Sequence, residues 1–321
     1  MKGDIVIIIP NYNGASLLPD CLSALAAQTR HPDRIVVVDN ASTDNSCAMV
    51  SGSWPGIEII ECDQNRGFAG AVKRGIAETD EEFIALLNND ARPEPTWLES
   101  LVSGFMRQEI GAASSLMYTP AGVIESIGIG LSCAGVGYRL LEGRDPDRVP
   151  SGILEVFGAS GGAMMLRRKA LICAGGFDEI YFAQDEDIDL AFKLRYAGFI
   201  AIAVPSARVL HLGGQTLKRD PSRSLFLAQR NLEWAFWLNM PTFAWFLWGP
   251  IHIFYQSASL FRHTIRGRGS VVWSAKCDAY KALPRLMRER RRPDGFISAI
   301  LPWIGKRFRV LEPIPARRNP I

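Results

Sequence analysis

The sequence has no paired cysteines. Its six (Cys21, Cys47, Cys62, Cys133, Cys173 and Cys277) are scattered without a C-x-x-C spacing, so neither a zinc knuckle nor a disulfide framework is written into the chain. It also lacks the two commonest phosphate-binding loops. No G-x-G-x-x-G follows the first apolar run and no G-x-x-x-x-G-K-[ST] occurs, which removes the main sequence support for a dinucleotide oxidoreductase and for a P-loop NTPase. Near the N-terminus the apolar run Ile5 to Ile9 stops at Pro10, too short for a signal-peptide core. The expectation is an unsecreted chain in a reducing cytosol.

Charge is plentiful but unevenly placed. Residues 1 to 261 carry 21 Lys+Arg against 29 Asp+Glu, while residues 262 to 321 carry 15 against 4. The overall net charge of +3 therefore combines an acidic body with a basic tail, and a basic tail seeks phosphates. With 321 residues and 48% apolar side chains the chain can bury one large core and carry an appendage.

Short β-branched runs at Ile5 to Ile9, Arg34 to Val38, Ile57 to Glu61 and Phe83 to Leu87 read as buried strands. Helical spacing follows them: Leu18, Cys21, Leu22 and Leu25 after a Ser16 cap, then Asp44 to Val50, then Gly70 to Glu78. The alternation predicts an α/β fold, a Rossmann-like, mainly parallel sheet with flanking helices. In such sheets ligands gather beyond the carboxyl ends of the strands, and polar residues collect there. Pro10-Asn11-Tyr12-Asn13 follows the first strand, Asp39-Asn40 the second, Asn65-Arg66-Gly67 the third and Asn88-Asn89-Asp90 the fourth. Each alone is an ordinary turn signature; four at one edge point to a nucleotide site. A second acidic station, Asp185-Glu186-Asp187-Ile188-Asp189, lies about a hundred residues on. One carboxylate can hold a divalent cation with a diphosphate while another, across a cleft, takes a proton from a hydroxyl. The competing reading of the second station is a charged helix N-terminus favoured by the macrodipole.

The chain resembles the inverting family-two glycosyltransferases, and within them the rhamnosyltransferase-like branch. The resemblance rests on "IVIIIPNYNG" at 5 to 14, "VVVDNASTDNS" at 36 to 46, "NRGFAGA" at 65 to 71, "LLNNDARPEP" at 86 to 95, "GASGGAMMLRR" at 158 to 168, "GGFDEIYFAQDEDIDLAFKLRYAGF" at 175 to 199, "VLHLGGQT" at 209 to 216 and "QRN" at 229 to 231. It implies a GT-A type fold over residues 1–231, with Asp39 on the pyrimidine base and Pro10, Asn11, Tyr12, Asn13, Asn40, Asn65, Arg66, Gly67 and Asn89 around a dTDP or UDP sugar. It implies Asp90 and His211 as ligands of Mg²⁺ or Mn²⁺, with Asn88 standing where the family's D-x-D has its first Asp. It implies Asp187 as general base, Glu186 beside it, and an acceptor carried on polyprenyl diphosphate in cell-surface polysaccharide synthesis. L-rhamnose from dTDP-rhamnose is the expected sugar; UDP-hexose or UDP-N-acetylhexosamine, or a silent nucleotide-binding module, are the alternatives. Asp189 is expected to cap or to pair with a cation. Where the family often carries Arg this chain has Lys193, a point charge without the bidentate fork.

From Trp234 to Phe261 no charged side chain occurs, and Trp and Phe are dense. Asn239, Pro241, Pro250, His252 and Gln256 interrupt a clean span, and Arg262, Arg266, Arg268 and the run from Arg288 to Arg292 follow. Residues 232–321 are therefore expected to form a helical, basic, membrane-associating region lying in the interface. A spanning helix and a buried contact are the other readings. The expected setting is the cytoplasmic face of the membrane, peripheral or monotopic, with no nucleic-acid partner, because no nucleic-acid fold accompanies the arginines.

Overall fold

The computed structural model describes residues 3–214, 220–289, 299–306 and 308–310. Gln215 and Thr216 of the motif that ends at residue 216, and Arg290 to Arg292, lie outside them. One large sheet organises the chain. Its strands are β1 (Ile5–Asn11), β2 (Arg34–Asp39), β3 (Glu58–Glu61), β4 (Phe83–Leu87), β5 (Ala91–Pro93), β6 (Ile110–Tyr118), β7 (Ile124–Ser126), β10 (Leu154–Val156), β11 (Ala163–Arg167), β12 (Ile200–His211) and β13 (Arg309–Val310); β8 (Ile129–Leu131) and β9 (Gly137–Arg139) form a separate hairpin. The helices are α1 (Leu18–Ala26), α2 (Ser46–Ser53), α3 (Gly67–Ala77), α4 (Trp97–Gly104), α5 (Arg168–Ala174), α6 (Glu186–Tyr196), α7 (Pro221–Asn239), α8 (Thr242–Ile265) and α9 (Gly269–Glu289).

The strand order is β13-β10-β12-β6-β11-β4-β1-β2-β3, with β5 against β12 and β7 against β6. Both faces are covered, which is why the strands read as continuous apolar runs rather than alternating ones. In β1, Ile5, Ile7 and Ile9 pack with α1 and α4 residues such as Leu22 and Trp97. Val6 and Ile8 point the other way, toward Val72 of α3 and Leu190 of α6.

The expectation of a mainly parallel sheet needs correction. The β1–β2, β1–β4, β2–β3 and β6–β12 ladders are parallel, but β11 runs antiparallel between β4 and β6, and β10 runs antiparallel to β12 and β13. The sheet is mixed because the chain leaves the βαβ winding after β4 and inserts β11 beside it. Element ends also shift. The second helix starts at Ser46 rather than Asp44, whose carboxylate instead accepts from Ala15 N at 2.9 Å and Ser46 N at 3.1 Å. No Ser16 side chain caps α1; Leu17 holds the N-cap position. The third helix begins at Gly67, not Gly70.

The charge-free stretch is not one segment. It divides at Met240-Pro241 between α7 and α8, and no helix of the described residues is long and apolar enough to cross a membrane. α7, α8 and α9 enclose a third apolar cluster containing Trp234, Phe236, Leu238, Ala279 and Leu283. The chain then returns to the body. Gly305 N donates to Leu131 O at 2.8 Å, Trp303 stacks under the Arg195 guanidinium at 4.0 Å, and β13 pairs with β10.

Candidate active site

Four strand ends meet at one edge. β1 and β2 are in register with Asn11 opposite Asp39, so both polar ends leave the sheet together. Asn11 Nδ2 donates to Asp39 Oδ1 at 3.0 Å and to Ser46 Oγ at 3.0 Å, and its Oδ1 accepts from Asn89 Nδ2 at 2.9 Å. Asp39 Oδ2 accepts from Ser42 N at 2.9 Å, so this buried carboxylate shapes its own turn. Asn13 accepts from Thr43 N at 2.7 Å. Asn40 spans to the third strand end, donating to Asn65 Oδ1 at 3.0 Å and Gly67 O at 2.9 Å while accepting from Arg66 N at 2.8 Å. Pro10 and Tyr12 stand half-buried at the end of β1. The Arg66 guanidinium lies 3.6 Å from the Asp63 carboxylate.

Gly67 joins this edge to the second acidic station. Its φ is +71°, and a Cβ there would lie 2.2 Å from Phe182 O, so only glycine permits the approach. Ala69 N then donates to Phe182 O at 3.1 Å. The segment leading into α6 is strained: Phe182, Gln184 and Asp185 all have positive φ, at 62°, 71° and 63°. Such residues cost about 1–3 kcal/mol each and persist only where surrounding structure holds them. Asn231, fully buried on α7, supplies that hold. Its Nδ2 lies 2.8 Å from Tyr181 O, 2.9 Å from Ala183 O and 2.7 Å from Gln184 O. Arg230 adds a bond to Ile180 O at 3.2 Å.

At the start of α6, Asp187 Oδ2 accepts from Gly161 N and Oδ1 from Ile188 N, both at 2.9 Å. Glu186 is buried, and its Oε2 has no hydrogen-bond partner among the described residues. Burial, and then the Asp187 charge, push the Glu186 carboxyl well above the usual carboxylate range. Burial raises Asp187 as well, against the opposing pull of its two N–H bonds. Asp185 rises to about 7, chiefly by burial and then by Asp187, with Lys276 opposing. Asp185 makes no side-chain cap, and Glu186, Asp187 and Asp189 stand in the first turn of α6. Asp189 pairs with Lys193 at 2.8 Å, as the sequence suggested, and accepts from Asn239 at 2.8 Å and Tyr181 at 3.1 Å. Lys193 also donates to Gly176 O at 3.1 Å, which accounts for its charge structurally.

The third group is Asp90 with His211. After a register shift between Val204 and Arg208, the far end of β12 runs between β6, with Leu210 opposite Tyr118, and β5, with His211 opposite Ala91. This sets His211 Nε2 3.0 Å from Asp90 Oδ1. Asn88 Nδ2 lies 3.2 Å from the same nitrogen, so the amide in place of the family's first Asp still faces the site. Glu125 of β7, which sequence reasoning missed, lies 2.6 Å from His211 Nδ1 and is held by Arg139 at 3.0 Å. Its signal was a lone acid inside an apolar stretch, Val123 to Leu131. A buried carboxylate behind a histidine fixes the ring and its tautomer, the usual support of a metal-ligating imidazole. Asp90 and His211 therefore fit a divalent cation. Among the described residues no group of three or more ligating side chains forms, so a cation held here would take its other ligands from substrate oxygens and water.

The two acidic groups are linked by a short path. Asp187 bonds the amide of Gly161; the carbonyl of Gly162 accepts from Asn88 N at 2.9 Å; and the Asn88 side chain meets His211 beside Asp90.

Burial alone would lower the His211 pKa, but hydrogen bonds to Asp90 and Glu125 outweigh it and raise the value from 6.5 to about 9. A cation must displace that proton. We therefore expect Mn²⁺ affinity to strengthen as pH rises from 6.5 toward 9. The metal-free protein should do the opposite: the stability from this raised pKa is fully present below 6.5 and lost as pH passes 9. Titration calorimetry with Mn²⁺ and melting curves in chelator check both; an affinity flat over that interval would place the cation elsewhere.

The mixed sheet with flanking helices has GT-A type sugar transferases among its structural neighbours. Residues 6–175 match the model described as Glycosyl transferase family 2, and the chain belongs to that family. It is 28% identical over 273 residues, covering 73% of this chain and 87% of the relative, to N-acetylglucosaminyl-diphospho-decaprenol L-rhamnosyltransferase of Mycobacterium tuberculosis. It is 27% identical over 228 residues to the O-antigen biosynthesis protein RfbC of Myxococcus xanthus, covering 67% of this chain and 18% of RfbC. Among solved structures, the mannosyltransferase PcManGT from Pyrobaculum calidifontis, in complex with GDP-Man and Mn²⁺, shares the fold with a TM-score of 0.56 at 18% identity, over 94% of this chain and 78% of that one.

Proposed function

We propose that the chain is an inverting, metal-dependent glycosyltransferase that moves L-rhamnose from dTDP-rhamnose onto a saccharide carried by polyprenyl diphosphate. The observation that carries this reading is the path just described, which sets Asp187 and the Asp90–His211 pair on either side of Gly161-Gly162 and Asn88. The long match to a lipid-linked rhamnosyltransferase supports the sugar and the acceptor.

In this reading Glu186, buried and without a partner on Oε2, keeps its proton. Asp187, stabilised by two backbone N–H groups, is the ionised member and the general base. It takes the acceptor hydroxyl proton as that oxygen bonds to the anomeric carbon, and the bond to the nucleoside diphosphate breaks on the opposite side, inverting the centre. Asp39, Asn11, Asn13, Asn40, Asn65, Arg66, Gly67, Asn89, Pro10 and Tyr12 line the nucleotide side. Asp90 and His211 would hold Mg²⁺ or Mn²⁺, which supplies neutralisation of the leaving diphosphate when bound. Residues 1–231 carry the transfer and residues 232–321 place it at the cytoplasmic face of the membrane.

Purified protein given Mn²⁺, a lipid-linked acceptor and a panel of dTDP and UDP sugars should release nucleoside diphosphate fastest from dTDP-rhamnose. Fastest release from a UDP sugar would reassign the donor. Release from none would point to a silent binding module and overturn the reading.

A further inference from the structure

α8 has two faces of opposite character. One is fastened to the bundle: Ala244, Gly249, His252, Gln256 and His263 are buried. His252 meets Glu233 of α7 at 3.1 Å and Ala134 O at 3.0 Å, and Gln256 accepts from Lys276 of α9 at 2.8 Å. Lys276 closes the network on Glu233 at 3.0 Å. The other face is apolar and bare. Phe243, Phe246, Leu247, Phe254, Phe261 and Ile265 are 54 to 80% exposed, and steps of three, four and seven residues put them on one stripe. Arg262 and Arg266 follow Phe261 and Ile265 on its flank, with Arg268 just beyond, all exposed. No Asp or Glu occurs in the helix.

We propose that this stripe is the surface by which the enzyme lies on an anionic phospholipid bilayer, with α8 parallel to the membrane plane. A spanning orientation would strip His252 and Gln256 from a buried Glu–Lys pair, and removing one partner from such a pair is costly. An in-plane helix keeps the network, immerses the phenylalanines at the acyl boundary and puts the arginines at headgroup phosphates. Charge selects the occupant. A second copy would offer the same cation-flanked stripe and no carboxylate from it, whereas an anionic bilayer complements both the apolar face and its cations. The inference deepens, and rests on, the lipid-linked acceptor proposed above. α8 docks on α7, and α7 carries Asn231, which holds the loop into Asp187. The docked helix thus sets the height of the proposed base above the lipid.

The test is co-sedimentation of the full chain with phosphatidylcholine vesicles with and without phosphatidylglycerol. We expect binding that needs phosphatidylglycerol, and a drop of about tenfold or more for Phe246→Glu/Phe254→Glu, since both side chains are exposed and the change costs apolar insertion. Arg262→Gln/Arg266→Gln should reduce the phosphatidylglycerol-dependent part alone. The phenylalanine variant should retain transfer to a soluble short-chain acceptor and lose it on a bilayer-embedded one. Vesicle binding unchanged by the phenylalanine variant overturns the proposal. So does a dimer, measured by light scattering without lipid, that the variant dissolves. Wild-type protein that sediments with vesicles yet transfers to neither acceptor supports the docking surface and sinks the transferase reading instead.

Discussion

Asp187→Asn should lower sugar transfer by about 10²- to 10⁴-fold, the contribution of a positioned general base, with donor affinity unchanged. The substitution keeps the side-chain volume at the start of α6 and removes the proton acceptor. The proposed nucleotide side comprises the ends of β1, β2 and β3, whose hydrogen bonds run among Asn11, Asp39, Asn40 and Asn65 and do not include Asp187. Glu186→Gln should cost far less, because burial and the Asp187 charge push the Glu186 carboxyl well above the usual carboxylate range and away from the role of a base. Single-turnover release of nucleoside diphosphate, with calorimetry of donor binding, separates the cases. Unchanged release in Asp187→Asn removes that residue from its role.

Asp90→Asn should lower transfer by about 10²- to 10³-fold, in the range seen when one electrostatic contact to a developing anion is lost. It should also abolish the dependence of donor binding on Mn²⁺. Asp90 is buried and its carboxylate lies against His211. With that charge gone, the imidazole loses one of the two bonds that raise its pKa, and Glu125 becomes its remaining partner. The pH dependence of Mn²⁺ affinity should then weaken along with the affinity itself. A variant whose donor binding still depends on Mn²⁺, at the wild-type transfer rate, would contradict the assignment of Asp90.

The parallel half of the sheet was legible because β1, β2 and β4 are buried on both faces and carry unbroken apolar runs. The antiparallel half was not. β6 reads IGAASSLMY, and its buried Ser114 and Ser115 hide a fully covered strand behind polar letters. The insertion of β11 between β4 and β6 is a long-range pairing that no local period encodes. At the site, Asp39 and Asp90 stood out as polar residues after apolar runs and Asp187 as part of an acidic run, whereas the roles of Asp187 and His211 rested on the resemblance to the family's motifs. Glu125 did not stand out, since β7 is three residues long and its acid meets His211 only through the sheet. The strain in Phe182 and Gln184 was invisible for a different reason: Phe and Gln are not residues that favour positive φ, and α7 holds the segment there. The bare stripe on α8 was visible as an aromatic stretch, but which side faces outward is decided by Glu233 and Lys276 from neighbouring helices.

The central claim is that one cleft holds the leaving diphosphate at Asp90 and the proton acceptor at Asp187. A crystal of the protein with dTDP-rhamnose and Mn²⁺, read at the manganese anomalous edge, tests it most directly. The expected map has the metal bonded to Asp90, His211 and both phosphates, with the Asp187 carboxylate facing the anomeric carbon from the side opposite the diphosphate. A metal peak away from Asp90, or a sugar whose anomeric carbon turns its back on Asp187, would contradict the account.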